Sequence, residues 1–206
     1  MSNWSLAAVA ALGLFHGLNP AMGWLFAVAI GFRDRTWRAV VGSLGPIAAG
    51  HAAAMAVAVV VFDELRVALP SGAVRIAGAI ALLAFATARL SRERHPRWVG
   101  MNLSRYELAG WSFLMSTAHG AGLMLIPVVA GSSVSTHADM LMPGSVLVGG
   151  EAVLVHTGVM VAVAAVVALV VYRVVGVGIL RRGWLNLDRV WTYALGAGAL
   201  VMLLAG

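Results

Sequence analysis

The chain has 206 residues, 61% of them hydrophobic and 11% charged, against roughly 45–50% and 25% in water-soluble domains, and this excludes a soluble globular protein. The net charge of +6 does not point to nucleic acid, because all 14 basic residues are arginines gathered at the ends of apolar runs, as topology signals are. With no cysteine there is no disulfide, thiolate metal site or thiol chemistry, so any metal must be held by histidine, methionine, carboxylate or backbone oxygen.

The composition predicts an all-α integral membrane protein in one domain. In chain order, six apolar runs are long enough to cross a hydrocarbon core of roughly 30 Å. They lie at about 4–31, 38–62, 71–90, 108–130, 144–172 and 189–206. The first has no positively charged leader and exceeds 20 residues, so it is expected to remain as a membrane helix rather than a cleaved signal. The connections at 33–38, 89–107 and 173–189 together hold 12 of the 14 arginines. By the positive-inside rule these connections face the cytoplasm, and both termini lie outside a bacterial-type inner membrane.

Residues 91–107 form the expected cytoplasmic linker between two three-helix halves, 1–90 and 108–206. Three is an odd number, so the second half enters the membrane from the opposite side and the repeats are inverted. Arg75-Ile-Ala-Gly-Ala-Ile and Arg189-Val-Trp-Thr-Tyr-Ala, opening the third and sixth runs, are comparable. Tryptophans mostly sit near run ends, where interfacial aromatics belong.

Four histidines lie in the middle of apolar runs, and they come in two matched pairs. His16-Gly17 is echoed 103 positions later by His119-Gly120, and His51-Ala-Ala-Ala-Met55 is echoed 105 positions later by His156-Thr-Gly-Val-Met160. Each histidine is 11–13 residues into its run, which at 1.5 Å per residue places it ~16–20 Å deep, near the midplane. Ionisable side chains at that depth are costly and usually functional. The four imidazoles are therefore expected to form one site, the alternative being four separate histidines bonded to neighbouring carbonyls.

Accompanying residues follow from helical spacing. His16 shares a face with Gly13, Asn19, Pro20 and Gly23, and His119 with Ser112, Ser116, Gly120 and Leu123. Pro20 cannot donate to the His16 carbonyl, which leaves either an oxygen open toward a ligand or a simple kink. Pro46 and Pro127 are placed to loosen the second and fourth runs. Met55 and Met160 stand one turn beyond His51 and His156, where they are either added ligands for a soft ion or apolar filler.

Glu151 is the only acid deep in an apolar run, but five steps of 100° turn it ~140° from His156. It is a candidate for proton coupling or a rim ion pair. His137 and Asp139 belong to an outer loop and His95 to the basic linker. No phosphate-binding glycine loop or zinc-protease motif is present, and Ser116 with His119 lacks an acid to make a nucleophile pair.

Leu14-Phe-His-Gly-Leu-Asn-Pro20, together with Arg38-Ala-Val-Val-Gly-Ser-Leu-Gly-Pro-Ile-Ala-Ala-Gly-His51, resembles the nickel/cobalt exporters and the urease/hydrogenase accessory membrane proteins of the LysE-type exporter superfamily. The resemblance implies six helices in two inverted repeats and midplane binding of a metal or small solute. It carries over to His16, Pro20 and His51. Ala21-Met22 replaces the acid or second histidine usual after the proline, and no histidine-rich loop is present.

The expected function is transport of a transition-metal cation (copper, nickel, cobalt or zinc) through the four histidines. A membrane metalloenzyme using the same ligands, a haem-bearing cytochrome and a proton-coupled exporter of a small organic solute are the alternatives. The expected surroundings are the bilayer and, as an option, a second copy of the chain, without nucleic acid.

Overall fold

The computed structural model describes residues 3–68, 71–91, 103–124 and 144–175, together with 193, 196, 197, 199 and 200. Its regular structure among these residues is entirely helical. The elements are α1 (Asn3–Leu18), a 3-10 turn (Pro20–Met22), α2 (Trp24–Asp34), α3 (Trp37–Ala68), α4 (Ser71–Ser91), α5 (Arg105–Ala118) and α6 (Gly144–Val170). A π-helical turn, Val171–Val175, continues α6. Two stretches are long and apolar enough to cross a membrane, Trp37–Leu65 on α3 and Val148–Val174 on α6 with its π turn. The linker residues 92–102, the outer loop with His137 and Asp139, Pro127 and His95 lie outside the described residues.

The first apolar run is not one helix but two. Proline at position 20 supplies no N–H, and Asn19 turns to an extended conformation (φ −73°, ψ 118°), its Oδ1 accepting from the Ala21 N–H at 2.9 Å. Gly23 then adopts φ 111°, a left-handed conformation open to glycine, and α2 starts afresh at Trp24. The fourth run is interrupted too, but nearer its histidine, since α5 ends at Ala118 just before His119 whereas α1 runs past His16 to Leu18. It begins with a capping box, Ser104 Oγ accepting from the Glu107 N–H while Glu107 accepts from the Ser104 N–H, and these bonds hold the Glu107 carboxyl below its usual range. It ends at His119; Gly120 takes φ 68°, and residues 121–124 are helical again. By contrast α3 runs unbroken past Pro46.

Small residues decide which helices meet. The most extensive interfaces are α1 against α6 and α3 against α5, followed by α3 against α6. A side chain at Gly13 would meet the His156 carbonyl at 2.5 Å, and one at Gly17 the Met160 carbonyl at 2.5 Å, so α1 lies backbone to backbone on α6. Gly50 faces the Ala109 carbonyl and the Phe113 amide in the same way. Rising numbers on one helix meet rising numbers on the other, so α1 runs parallel to α6 and α3 parallel to α5. Gly149 meets Val59 while His156 meets His51, which makes α3 and α6 antiparallel.

Arginines gather at one end of the bundle. Phe32 packs on Tyr172 with ring centres 5.1 Å apart, and the guanidinium groups of Arg38 and Arg173 each lie 5.8 Å from the Trp37 ring. Polarity runs inside out. Leu154, Val166, Ile80 and Leu114 are exposed, while His16, Asn19, Ser43, His51, Ser112, Ser116, His119 and His156 are buried. Water-soluble proteins bury the first kind and expose the second.

Candidate functional site: a buried histidine cluster

The two backbone breaks and the two long helices place all four histidines inside the bundle. None is more than 1% exposed. The His16 ring stands edge-on to both His156, with centres 4.7 Å apart, and His51, at 5.4 Å. His51 and His156 stack face to face at 5.4 Å with planes 6° apart. His119 lies within electrostatic range of His16.

Hydrogen bonds set which nitrogen of each ring is presented. His16 Nδ1 lies 3.0 Å from the Leu12 carbonyl, and His119 Nδ1 2.9 Å from the Met115 carbonyl. A carbonyl only accepts, so each Nδ1 carries the proton, and in the neutral ring Nε2 is the basic nitrogen. The two bonds are equivalents in the two halves, since Leu12 and Met115 are 103 positions apart like the histidines themselves. His51 Nδ1 is held across the helix interface by Ser116 Oγ at 2.7 Å, and its Nε2 is buried without a hydrogen-bond partner.

His156 breaks the symmetry. No side chain holds its ring, and the backbone of Val9 is the polar group that faces it. The reason is a single residue. Position 13 matches Ser116 in the repeat, but it is glycine, and the hydroxyl that anchors His51 has no counterpart beside His156. A serine there would collide with the His156 carbonyl that Gly13 accommodates.

The proposed accompanying residues divide. Ser116 joins the cluster. Ser112, one turn earlier, donates to the Ile47 carbonyl at 2.8 Å and ties α5 to α3. Asn19 is buried beside the break, and its Nδ2 has no hydrogen-bond partner. The His16 carbonyl, for which Pro20 allowed either an open oxygen or a simple kink, accepts from the Asn19 N–H at 3.1 Å, because the chain tightens into an i to i+3 turn before the proline. Met55 and Met160 are fully buried one turn from their histidines. Glu151 is exposed on the other side of α6, as its ~140° offset from His156 requires.

Sequence reasoning did not find the break after His119, although the His-Gly echo of a proline-broken helix was its signal. Nor did it find the anchoring carbonyls of Leu12 and Met115, whose signal is the i−4 spacing that a helical side chain reaches back to.

Chemically, this is a closed set of imidazoles. Imidazoles sharing one tetrahedral ion through bonds of ~2.0–2.1 Å hold their ring centres roughly 5 Å apart, so the observed spacing suits a shared ion. The orientation does not yet suit one. Among the described residues no group of three or more histidine or acidic side chains has its donor atoms placed to hold a metal as it stands. The face-to-face stack of His51 on His156 keeps their nitrogens from aiming at a common point.

Removing the Ser116 hydroxyl tests whether that anchor matters to binding. Ser116→Ala is expected to keep the fold and weaken metal binding ~10-fold, the lower end of what loss of a ligand's supporting hydrogen bond costs. Competition with a chelator of known affinity measures it.

Comparison with protein-family models, with characterised proteins and with solved structures found no match.

Proposed function

We propose that this chain is a multi-pass transporter of a transition-metal cation, with His16, His51, His119 and His156 as the binding residues. One observation carries the reading: three of the four buried imidazoles have Nδ1 held by a hydrogen bond, which makes Nε2 the nitrogen that would ligate. That is the supporting arrangement metal-binding histidines use, a second partner holding tautomer and ring orientation. The paired breaks in α1–α2 and after α5 support transport over storage, because discontinuous helices at a central site are a recurring transporter device. A transporter must also release its ion. On this reading His156, which no side chain anchors, is the ring that turns to let the nitrogens converge or part.

The surrounding architecture on this reading is six membrane spans in two inverted three-helix halves. The parallel pairs α1–α6 and α3–α5 exchange with one another under such a repeat. The outward valines and leucines face lipid, and the arginine-rich end faces the cytoplasm, placing both termini outside. The likeness of Leu14–Pro20 and Arg38–His51 to the nickel/cobalt exporter branch agrees with this reading.

Purified protein reconstituted in liposomes, with a metal-sensitive dye inside, tests it. The expected result is metal-dependent quenching that His16→Ala and His119→Ala remove. Equal quenching by wild type, both variants and empty liposomes contradicts transport.

A further inference from the structure

Four methionines are buried among the described residues, Met22, Met55, Met124 and Met160, at 4%, 0%, 9% and 1% exposure. Each follows one of the four histidines within a turn or two: Met22 after His16, Met55 after His51, Met124 after His119 and Met160 after His156. Met115 is half-buried. The helix directions sort the four into two pairs. Met55 packs with Ala121, and Met124 with Phe62, so both lie beyond the histidines toward the C-terminal end of α3. The Met160 carbonyl lies against Gly17, and Met22, in the turn after α1, is followed by Gly23 against Ile47, which precedes His51 on α3, so this pair lies on the opposite side. Along the helices, two of the four methionines thus follow the histidines toward one end of the bundle and two toward the other.

The charge of the site points the same way. Imidazole and thioether are both neutral, no acidic side chain joins the cluster among the described residues, and Glu151 is exposed on the far face of α6. The cost of moving an ion from water into a low-dielectric interior rises with the square of its charge, so a divalent ion costs about four times what a monovalent one does. Among the described residues no carboxylate offsets that cost, so this interior favours a monovalent cation. Thioether ligands select soft ions, copper(I) above all, and contribute little to zinc, nickel or cobalt.

We infer that the transported ion is a soft monovalent cation, copper(I), which the imidazoles bind centrally and which the Met55/Met124 and Met22/Met160 pairs pass to and from them on either side. The inference rests on the metal-transport reading and narrows it to one class of ion. It also assigns roles to Met22 and Met124.

Silver(I), which has the same charge and softness and no competing redox state, is the probe. Purified protein is titrated with silver(I), with copper(I) kept reduced by ascorbate, and with zinc(II), nickel(II) and cobalt(II), each against a competing chelator. The expected result is at least 100-fold tighter binding of the two monovalent ions. The near-isosteric Met55→Leu/Met160→Leu double variant should keep its thermal stability, lose more than 10-fold in silver(I) affinity and hold zinc(II) affinity within twofold. X-ray absorption on the copper-loaded protein should show sulfur beside nitrogen. Histidine-dependent binding of zinc(II) or nickel(II) as tight as silver(I), or silver(I) binding unchanged in the double variant, overturns the inference while leaving metal transport standing. Absence of any histidine-dependent metal binding overturns both.

Discussion

Replacing His16 with alanine is expected to lower metal affinity about 100-fold or more. A four-ligand site of this kind is worth ~10–16 kcal/mol in total, so one ligand carries roughly 3 kcal/mol, which is about two powers of ten. His16 is the most sensitive position because its ring lies edge-on to both His51 and His156 and within range of His119. Its loss leaves only the stacked pair of His51 and His156 in ring contact among these pairs. Binding isotherms from chelator competition measure the change, and thermal stability within a few degrees of wild type shows that the fold is kept. Conversion to alanine also removes a buried polar ring, so the variant is not expected to unfold on electrostatic grounds.

The second large effect is steric. Gly17→Val is expected to destabilise the protein by ~3 kcal/mol or more, the upper end of what overpacking costs, because the new side chain meets backbone rather than a movable group. Its Cβ would stand 2.5 Å from the Met160 carbonyl and 2.7 Å from Val163 Cβ. The only relief is for α1 to move off α6, which also carries His16 away from His156. Stability and metal binding therefore fall together in this variant, whereas His16→Ala separates them. Gly158→Ala, on α6 itself but with open space around it, is the control. It should leave the unfolding temperature unchanged or raise it, since alanine favours a helix over glycine.

The location of the candidate site was legible in the chain, and its internal geometry was not. Depth and the paired echoes of His16 with His119 and His51 with His156 needed only counting, because apolar runs fix how deep a residue sits. The break at Asn19-Pro20 was legible for a local reason, the missing proline N–H. The fate of the His16 carbonyl was not, since it depends on the chain tightening so that Asn19 donates to it. The break after His119 has no proline in it and depends on Gly120 taking a left-handed conformation, as Gly23 does at the first break. Partner choice is tertiary. Nothing local says that His51 meets Ser116 rather than His119, because Gly50 against Ala109 and Phe113 sets the register of α3 on α5. Glu151 was the opposite case, where the helical angle alone assigned it to another face.

Exposed apolar side chains and buried histidines make sense together. Leu154 is 75% exposed while His156, two residues on, is 0% exposed. On the proposed reading, surrounding lipid removes the penalty for the first, and a shared ion gives a reason for the second.

Elemental analysis of the purified, dialysed protein after loading with a metal buffer tests the central claim most directly. One tightly held metal ion per chain, lost in His16→Ala and in His156→Ala but retained in Gly158→Ala, is the result expected. A chain that retains no stoichiometric metal, or one whose metal content is the same in the histidine variants, contradicts it.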